Sequence, residues 1–326
     1  EQIPGADSAE SVDRLKRALM DACDGSVWMI HNYHLGKNPL FTAALLEIAK
    51  VHPEQRLCFY IHDFPECARY ENLRFLRKFV PESPYPEAGN VRYVVINERD
   101  RVHLTVAGIP DRHIVLVNNP VEREAIDHDG HTRDRQKLEA HFAGHFPGYT
   151  PGAPLLVYPI RTIRRKNVLE LGLIASLSPT PVNLVVTLPG TSETEIDYSN
   201  AVSAAFTEGL IPGMWGVGEH LDQAGLTFMD LMGLADIIVS SSVQEGFGYL
   251  FVNAVQWGRP LFARYLDVLD GIRPVFEGHP HHFYTSLRVP ITKDNATALK
   301  ESQLKLEQAK LGQEAELKWK KQEIKG

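Results

Sequence analysis

The chain has 326 residues, 44% hydrophobic and 23% charged, with a formal net charge of −7. That is the make-up of a soluble globular protein with room for two domains of roughly 100–200 residues. The acidic balance excludes general nucleic-acid binding, which favours a basic surface.

Three cysteines, Cys23, Cys58 and Cys67, form no CxxC pair. This argues against a disulfide framework or structural zinc and for a reducing compartment. No apolar run approaches the roughly 20 residues that span a bilayer. The opening "EQIPGADSAES" lacks signal-peptide character. The expected location is cytoplasmic, with any membrane contact peripheral.

Along the chain, short apolar runs alternate with amphipathic stretches. "SVDRLKRALMDAC" has helical spacing, with Leu15, Ala18, Leu19 and Ala22 on one face. "SVWMIHNY" reads as a strand, "NPLFTAALLEIAKVH" as a helix, "RLCFYIHDF" as a strand and "YENLRFLRKF" as a helix. The strands "VRYVVIN" and "HIVLVNNP" follow. Residues 121–153 are rich in charge, His, Gly and Pro and carry the expected boundary; their histidines, His128, His131, His141 and His145, read as solvated. The alternation then resumes with strand "PLLVYPI", helix "NVLELGLIASL", strand "VNLVVTLP", a helix near 196–208 and strand "GMWGVG". Helix "TFMDLMGLA", strand "DIIVSSS", helix 248–257 and strand "PLFARY" complete it. Apolar strands separated by helices indicate parallel sheets covered on both faces. The fold class is therefore α/β, with two Rossmann-like domains, 1–150 and 151–326, facing a cleft. Residues 298–326 read as a polar, helix-forming tail.

Two clusters carry candidate chemistry. "SSVQEGFGYLFVNAVQWGRP" places Glu245, Gly246, Phe247 and Gly248 at the carboxyl end of a strand, where open α/β sheets bind ligands. The glycines permit close approach, and the following helix start offers amides and a positive dipole end to an anion. A strand–helix turn that needs two glycines fits the same residues. "YPIRTIRRKNVLE" places Arg161 and Lys166 five apart at a strand end and helix start, as cations for a diphosphate or as a solvated basic turn.

Together the clusters resemble the retaining glycosyltransferases of the GT-B fold, family 4 type. Those carry an Arg with a Lys five residues on, then a block matched here by "ADIIVSSSVQEGFGYLFVNAVQWGRPLFA". The likeness covers nearly all of 150–290. It extends more weakly into "HNYHLGKNP", "YIHDFPECARYENL" and "INERDRVHLTVAGIPDRHIVLVNNPV".

The resemblance implies sugar transfer from a UDP- or GDP-sugar, with retention, to a sugar, lipid-linked or small-molecule acceptor. Arg161 and Lys166 would hold the donor diphosphate, aided by amides around Gly246, Phe247 and Gly248. Glu245 would face the donor sugar and His62 would contact it from the first domain. The nucleotide sugar is a substrate, and no cofactor is implied. Fixed cations and helix amides stabilise the departing diphosphate, so this logic requires no metal.

Two departures stand out. The family's second Glu, which binds ribose hydroxyls, is Asn253 here, an acceptor without charge. The element around 14–36 lies well inside the family's first domain but opens this chain, so that domain is expected to be shortened at its N-terminus. The alternative function is a catalytically weakened GT-B protein that binds nucleotide sugar or acts as a scaffolding subunit.

"HNYHLGK" (His31, Asn32, His34, Lys37) lines the acceptor side or forms a plain polar loop, and Asn119 sits where the family has its "NGVD" loop. Asp63 orients the His62 ring or caps the following loop. "GHPHHFY" (His279, His281, His282) reads as loop histidines and not as metal ligands.

Overall fold

A computed structural model describes residues 9–23, 25–66, 70–122 and 131–289. Cys67, His128 and the expected tail helix at 298–326 lie outside them.

The first half runs α1 (Ala9–Ala22), β1 (Val27–His31), α2 (Pro39–Val51), β2 (Arg56–Ile61), α3 (Tyr70–Phe79), β3 (Val91–Val95), α4 (Glu98–Val106) and β4 (Ile114–Leu116). Its four strands pair in parallel in the order β1-β2-β3-β4. Leu57, Phe59 and Ile61 of β2 and Val91, Tyr93 and Val95 of β3 point to one face. There they pack with Leu45 and Ile48 of α2 and Leu104 of α4.

The opposite face is bare along its edges. Val27 and Met29 of β1 are 52% and 61% exposed, and Val115 of β4 is also exposed. Topology explains this. Parallel connections are right-handed, so strands added one after another in one direction lay their helices on the same face.

The second half runs α5 (His131–His145), β5 (Leu155–Arg161), α6 (Val168–Ser176), β6 (Asn183–Leu188), α7 (Ile196–Thr207) and β7 (Gly213–Trp215). It continues through α8 (Phe228–Leu234), β8 (Ile237–Ser240), α9 (Tyr249–Gln256), β9 (Leu261–Arg264) and β10 (His281–Tyr284). Its six strands are parallel, in the order β10-β9-β8-β5-β6-β7. The chain starts in the middle at β5, builds outward to β7, then reverses and builds outward from β8. This is the doubly wound pattern, and ligands bind outside the strand ends where the order reverses, between β5 and β8. Both faces are covered here. Leu155, Val157 and Val185 face Leu138 and Phe142 of α5 with Leu231, Phe251 and Trp257. Tyr158, Leu184 and Val186 face Val168 and Leu171 of α6 and Val202 and Phe206 of α7.

The expected α/β architecture with two parallel Rossmann-like sheets is the observed one; two local readings are corrected and one unassigned stretch proves helical. Residues 131–145 form helix α5, in which His145 is exposed as expected but His141 is buried, its ring stacked on His145 at 4.2 Å. The segment's charge hid the apolar pair Leu138 and Phe142, one helical turn apart. Residues 98–106 form α4, whose hydrophobic face is reduced to Leu104. His281 and His282 lie on an edge strand, not a loop, in register with Leu261 and Phe262. Among the described residues no group of three His, Cys, Asp or Glu side chains gathers as a metal site, and no helix is long and apolar enough to cross a membrane.

Phe142 tests the place of α5. It is fully buried in the same cluster as Leu155 and Val157. Phe142→Ala is expected to lower the unfolding free energy by about 3–5 kcal/mol in urea titration; a loss below about 1 kcal/mol would mean that α5 is not part of this core.

Candidate active site

The loops after β5 and β8 meet at the point where strand order reverses. After β5, a 3₁₀ turn (Arg164–Lys166) leads into α6 through Asn167, whose φ of 50° lies in the left-handed region. After β8, Ser241–Gly248 lead into α9. Gly248 has a φ of 88°, and a side chain there would press on the Phe251 ring. Asn tolerates the first conformation and Gly the second.

Side-chain hydroxyls clamp the two loops together. Tyr158 Oη donates to the Lys166 carbonyl at 2.9 Å, and Ser241 Oγ donates to the carbonyls of Lys166 and Asn167 at 3.1 and 2.8 Å. The Val243 amide donates to the Arg165 carbonyl at 2.9 Å. Ser241 and Ser242 are fully buried. This clamp presents Lys166 to Glu245: the two side chains, each 12% exposed, form an ion pair. The Glu245 carboxylate also accepts from Ser242 Oγ at 2.5 Å and from Arg165 Nη1 at 3.1 Å.

Burial raises the Glu245 pKa, but the charge and hydrogen bond of Lys166, with Ser242 and Arg165, outweigh it and hold the carboxyl below its ordinary 4.5. Burial lowers Lys166 from its ordinary 10.5, and Glu245 draws it partly back. The site is thus a half-buried carboxylate between two cations.

The first sheet reaches this loop through the residues that open α4. Asn97 caps the helix, its Oδ1 accepting from the Asp100 amide at 2.8 Å. Its Nδ2 donates to Asp100 Oδ2 at 2.8 Å and to the Gly246 carbonyl at 2.7 Å. Arg99 Nη1 donates to the Glu245 carbonyl at 3.0 Å and to Asp267 at 3.2 Å, while its other nitrogens hold Asp100. Gly246 also approaches the end of β2: a side chain there would lie 3.3 Å from the His62 carbonyl. His62 Nε2 is 2.8 Å from His31 Nδ1, one ring donating and the other accepting. The two rings and Tyr60 stack at centroid distances of 4.5–5.1 Å. Burial, then the His31 ring, lower the His62 pKa below 6.5.

The expected residues therefore divide. Glu245, Lys166, Gly246, Gly248 and the backbone of His62 share one neighbourhood. Phe247 is buried and packs at 5.0 Å on Tyr249. Arg161 is exposed at the end of β5 and lines a cavity of about 630 Å³ with Pro159, Thr187, Gly218, Glu219 and Phe228. Arg165, not Arg161, joins Lys166 on the carboxylate. Asn253 is half-buried on α9. Asn32 is a turn residue, with a φ of 53° and its Oδ1 accepting from the His62 amide at 2.9 Å. His34 does not line a cleft: it is fully buried, Nε2 donating to the Asp63 carbonyl at 2.9 Å, and burial lowers its pKa to about 4. Asp63 Oδ1 accepts from the Phe64 amide at 3.0 Å, the capping role. Lys37 is exposed and Asn119 half-buried, each in its loop.

Sequence reasoning missed Arg165, Tyr158, Ser241, Ser242, Asn97 and Arg99. The run of three serines closing an apolar strand was one available sign. Asn97 followed three residues later by Asp100, a helix-start pattern, was the other.

The pair makes a pH-dependent contribution with a definite sign. A carboxyl with a lowered folded pKa stabilises fully above its unfolded value and loses this as pH falls through the folded one. Glu245→Gln is expected to unfold about 2–4 kcal/mol more easily than wild type at pH 7, because Lys166 is left buried without its partner. That gap should hold between pH 6 and 7 and shrink below pH 4.5; urea titration at each pH measures it, and a gap that widens on acidification contradicts the assignment.

No family model matches the chain. Over 261 residues it is 35% identical to mannosylglucosyl-3-phosphoglycerate synthase of Petrotoga mobilis, which covers 77% of this chain and 49% of that protein. The chain thus spans about half the length of this curated relative. Among solved structures it is similar to Anabaena HepE in complex with UDP, with a TM-score of 0.53 and 16% identity over 84% of this chain and 68% of that one. It is also similar to sucrose-phosphate synthase of Thermosynechococcus elongatus, with a TM-score of 0.51 and 14% identity over 91% and 68% of the two chains. At these identities the solved structures speak for the fold. With its two parallel Rossmann-like sheets, the chain has the GT-B fold that these solved structures share.

Proposed function

We propose that the chain moves a sugar from a UDP- or GDP-sugar donor, with retention, onto an acidic, sugar-bearing acceptor. The observation that carries this reading is the Lys166–Glu245 pair at the end of the two central strands. It sets a cation for a leaving diphosphate beside a carboxylate for the sugar. Preorganised charge of this kind is what a departing nucleoside diphosphate needs. The diphosphate takes Lys166 and Arg165 from Glu245, and the released carboxylate turns to the sugar hydroxyls. The amides of Gly246 and Phe247, which have no acceptor among the described residues, add donors to the phosphates.

The cavity beside Arg161 takes the nucleoside. Its Glu219 and Asp222 offer carboxylates to ribose hydroxyls, a role the family gives to the position that is Asn253 here. His62, held by His31, meets the sugar from the first sheet. The acceptor class is carried over from the relative, whose name gives its product as mannosylglucosyl-3-phosphoglycerate; a glucosylated phosphoglycerate is the acceptor that fits such a product. The complex of HepE with UDP-glucose supports a nucleotide-sugar donor.

The test offers UDP- and GDP-sugars with glucosyl-3-phosphoglycerate to the purified chain and follows nucleotide release and product mass. Wild type should turn over, and Lys166→Ala should lower kcat by about 100-fold or more. Full activity in Lys166→Ala sinks the assignment. Tight nucleotide binding without turnover on any acceptor favours instead a binding or scaffolding GT-B protein, the reading that Asn253 motivates.

A further inference from the structure

We infer that Asn97 and Arg99, at the head of α4, are positioning residues for the donor loop. By gripping two successive carbonyls they set the direction of two backbone amides. The inference rests on the donor reading above and assigns it two residues from the opposite half of the protein.

The argument begins with peptide geometry. In a planar trans peptide the carbonyl and the next N–H point in opposite directions. Arg99 Nη1 holds the Glu245 carbonyl at 3.0 Å, so the Gly246 N–H of the same peptide faces away from α4. Asn97 Nδ2 holds the Gly246 carbonyl at 2.7 Å, so the Phe247 N–H also faces away. Neither amide has an acceptor among the described residues. Two adjacent donors are thus fixed in orientation and left for an anion.

The grip is itself held. Arg99 is anchored through Nε and Nη2 by Asp100 and through Nη1 by Asp267. Asp100 is fully buried and also accepts from Asn97. Glu98 packs against the 3₁₀ turn (Asp267–Phe276), leaving a gap at Gly271 in which a side chain would lie 3.4 Å from the Glu98 Cβ. A simple tether between the halves would need one such bond. Here two different side chains take two consecutive carbonyls, which fixes the peptide planes as well as the distance.

The experiment compares wild type, Asn97→Ala, Arg99→Ala and the milder Arg99→Lys. It measures affinity for UDP, or for GDP where wild type binds only that, by calorimetry, with kcat and both KM values, all at least ten degrees below each variant's Tm. An amide donating to a charged phosphate supports a tenfold or larger change in affinity. Asn97→Ala and Arg99→Ala should each raise the Kd for that nucleotide and the donor KM about tenfold. The acceptor KM should not move, and Arg99→Lys should recover part of the loss. Lower Tm values with unchanged nucleotide affinity and donor KM would show a merely structural role and overturn the inference.

Wild type that binds neither UDP nor GDP defeats the donor reading instead. The inference is then judged on crystal structures of the same variants. Rotated 245–246 or 246–247 peptides uphold it, and peptides left in place overturn it.

Discussion

The Glu245 carboxylate is the constraint around which the site is arranged. Lys166, Arg165 and Ser242 converge on it from the turn after β5 and the loop after β8. A charge this far from water persists only when it is paired and hydrogen-bonded. The surrounding design supplies those partners. Buried serine hydroxyls hold the loops close, a left-handed Asn167 turns the chain into α6, and Tyr158 ties the Lys166 backbone to the sheet below. The same carboxylate prevents two neighbouring cations from repelling each other in the absence of a ligand. An anionic ligand replaces that counter-charge and does not simply add to it.

Much of the second half was legible because its sheet is buried on both faces. Apolar runs such as "NLVVTL" and "IIVS" stand out when nearly every residue of a strand is covered. The glycines around Phe247 and the basic run ending at Lys166 marked the two loops that meet where the strand order reverses, although Arg165 and not Arg161 joins Lys166 there. What stayed hidden was cooperation between distant segments. Nothing local distinguishes Asn97 from any helix cap, yet its amide reaches Gly246, 149 positions away. His34 misled for the opposite reason. A polar loop of His, Asn and Lys looks solvated, but the histidine turns inward and finds the Asp63 carbonyl. The edge strand β10 was missed because histidines and a flanking proline mask its short run, and an edge needs only one good neighbour.

The two halves solve the same packing problem unequally. The second sheet starts from its centre and grows in both directions, which distributes helices over both faces. The first grows in one direction, and Val27, Met29 and Val115 are left exposed. The contacts of the first half with the Glu245–Gly248 loop come from the strand ends and from α4, not from that bare face.

The contacts at the head of α4 have a consequence for rate. Parting the first sheet from the Glu245–Gly248 loop breaks the Arg99–Glu245, Arg99–Asp267 and Asn97–Gly246 contacts. They share a buried anchor in Asp100, so they are lost together and not one by one. A separation that broke all three would be a collective motion, of the class that runs on the microsecond-to-millisecond scale and is slower than side-chain fluctuation. A ligand held beneath the loop would leave at the pace of that motion.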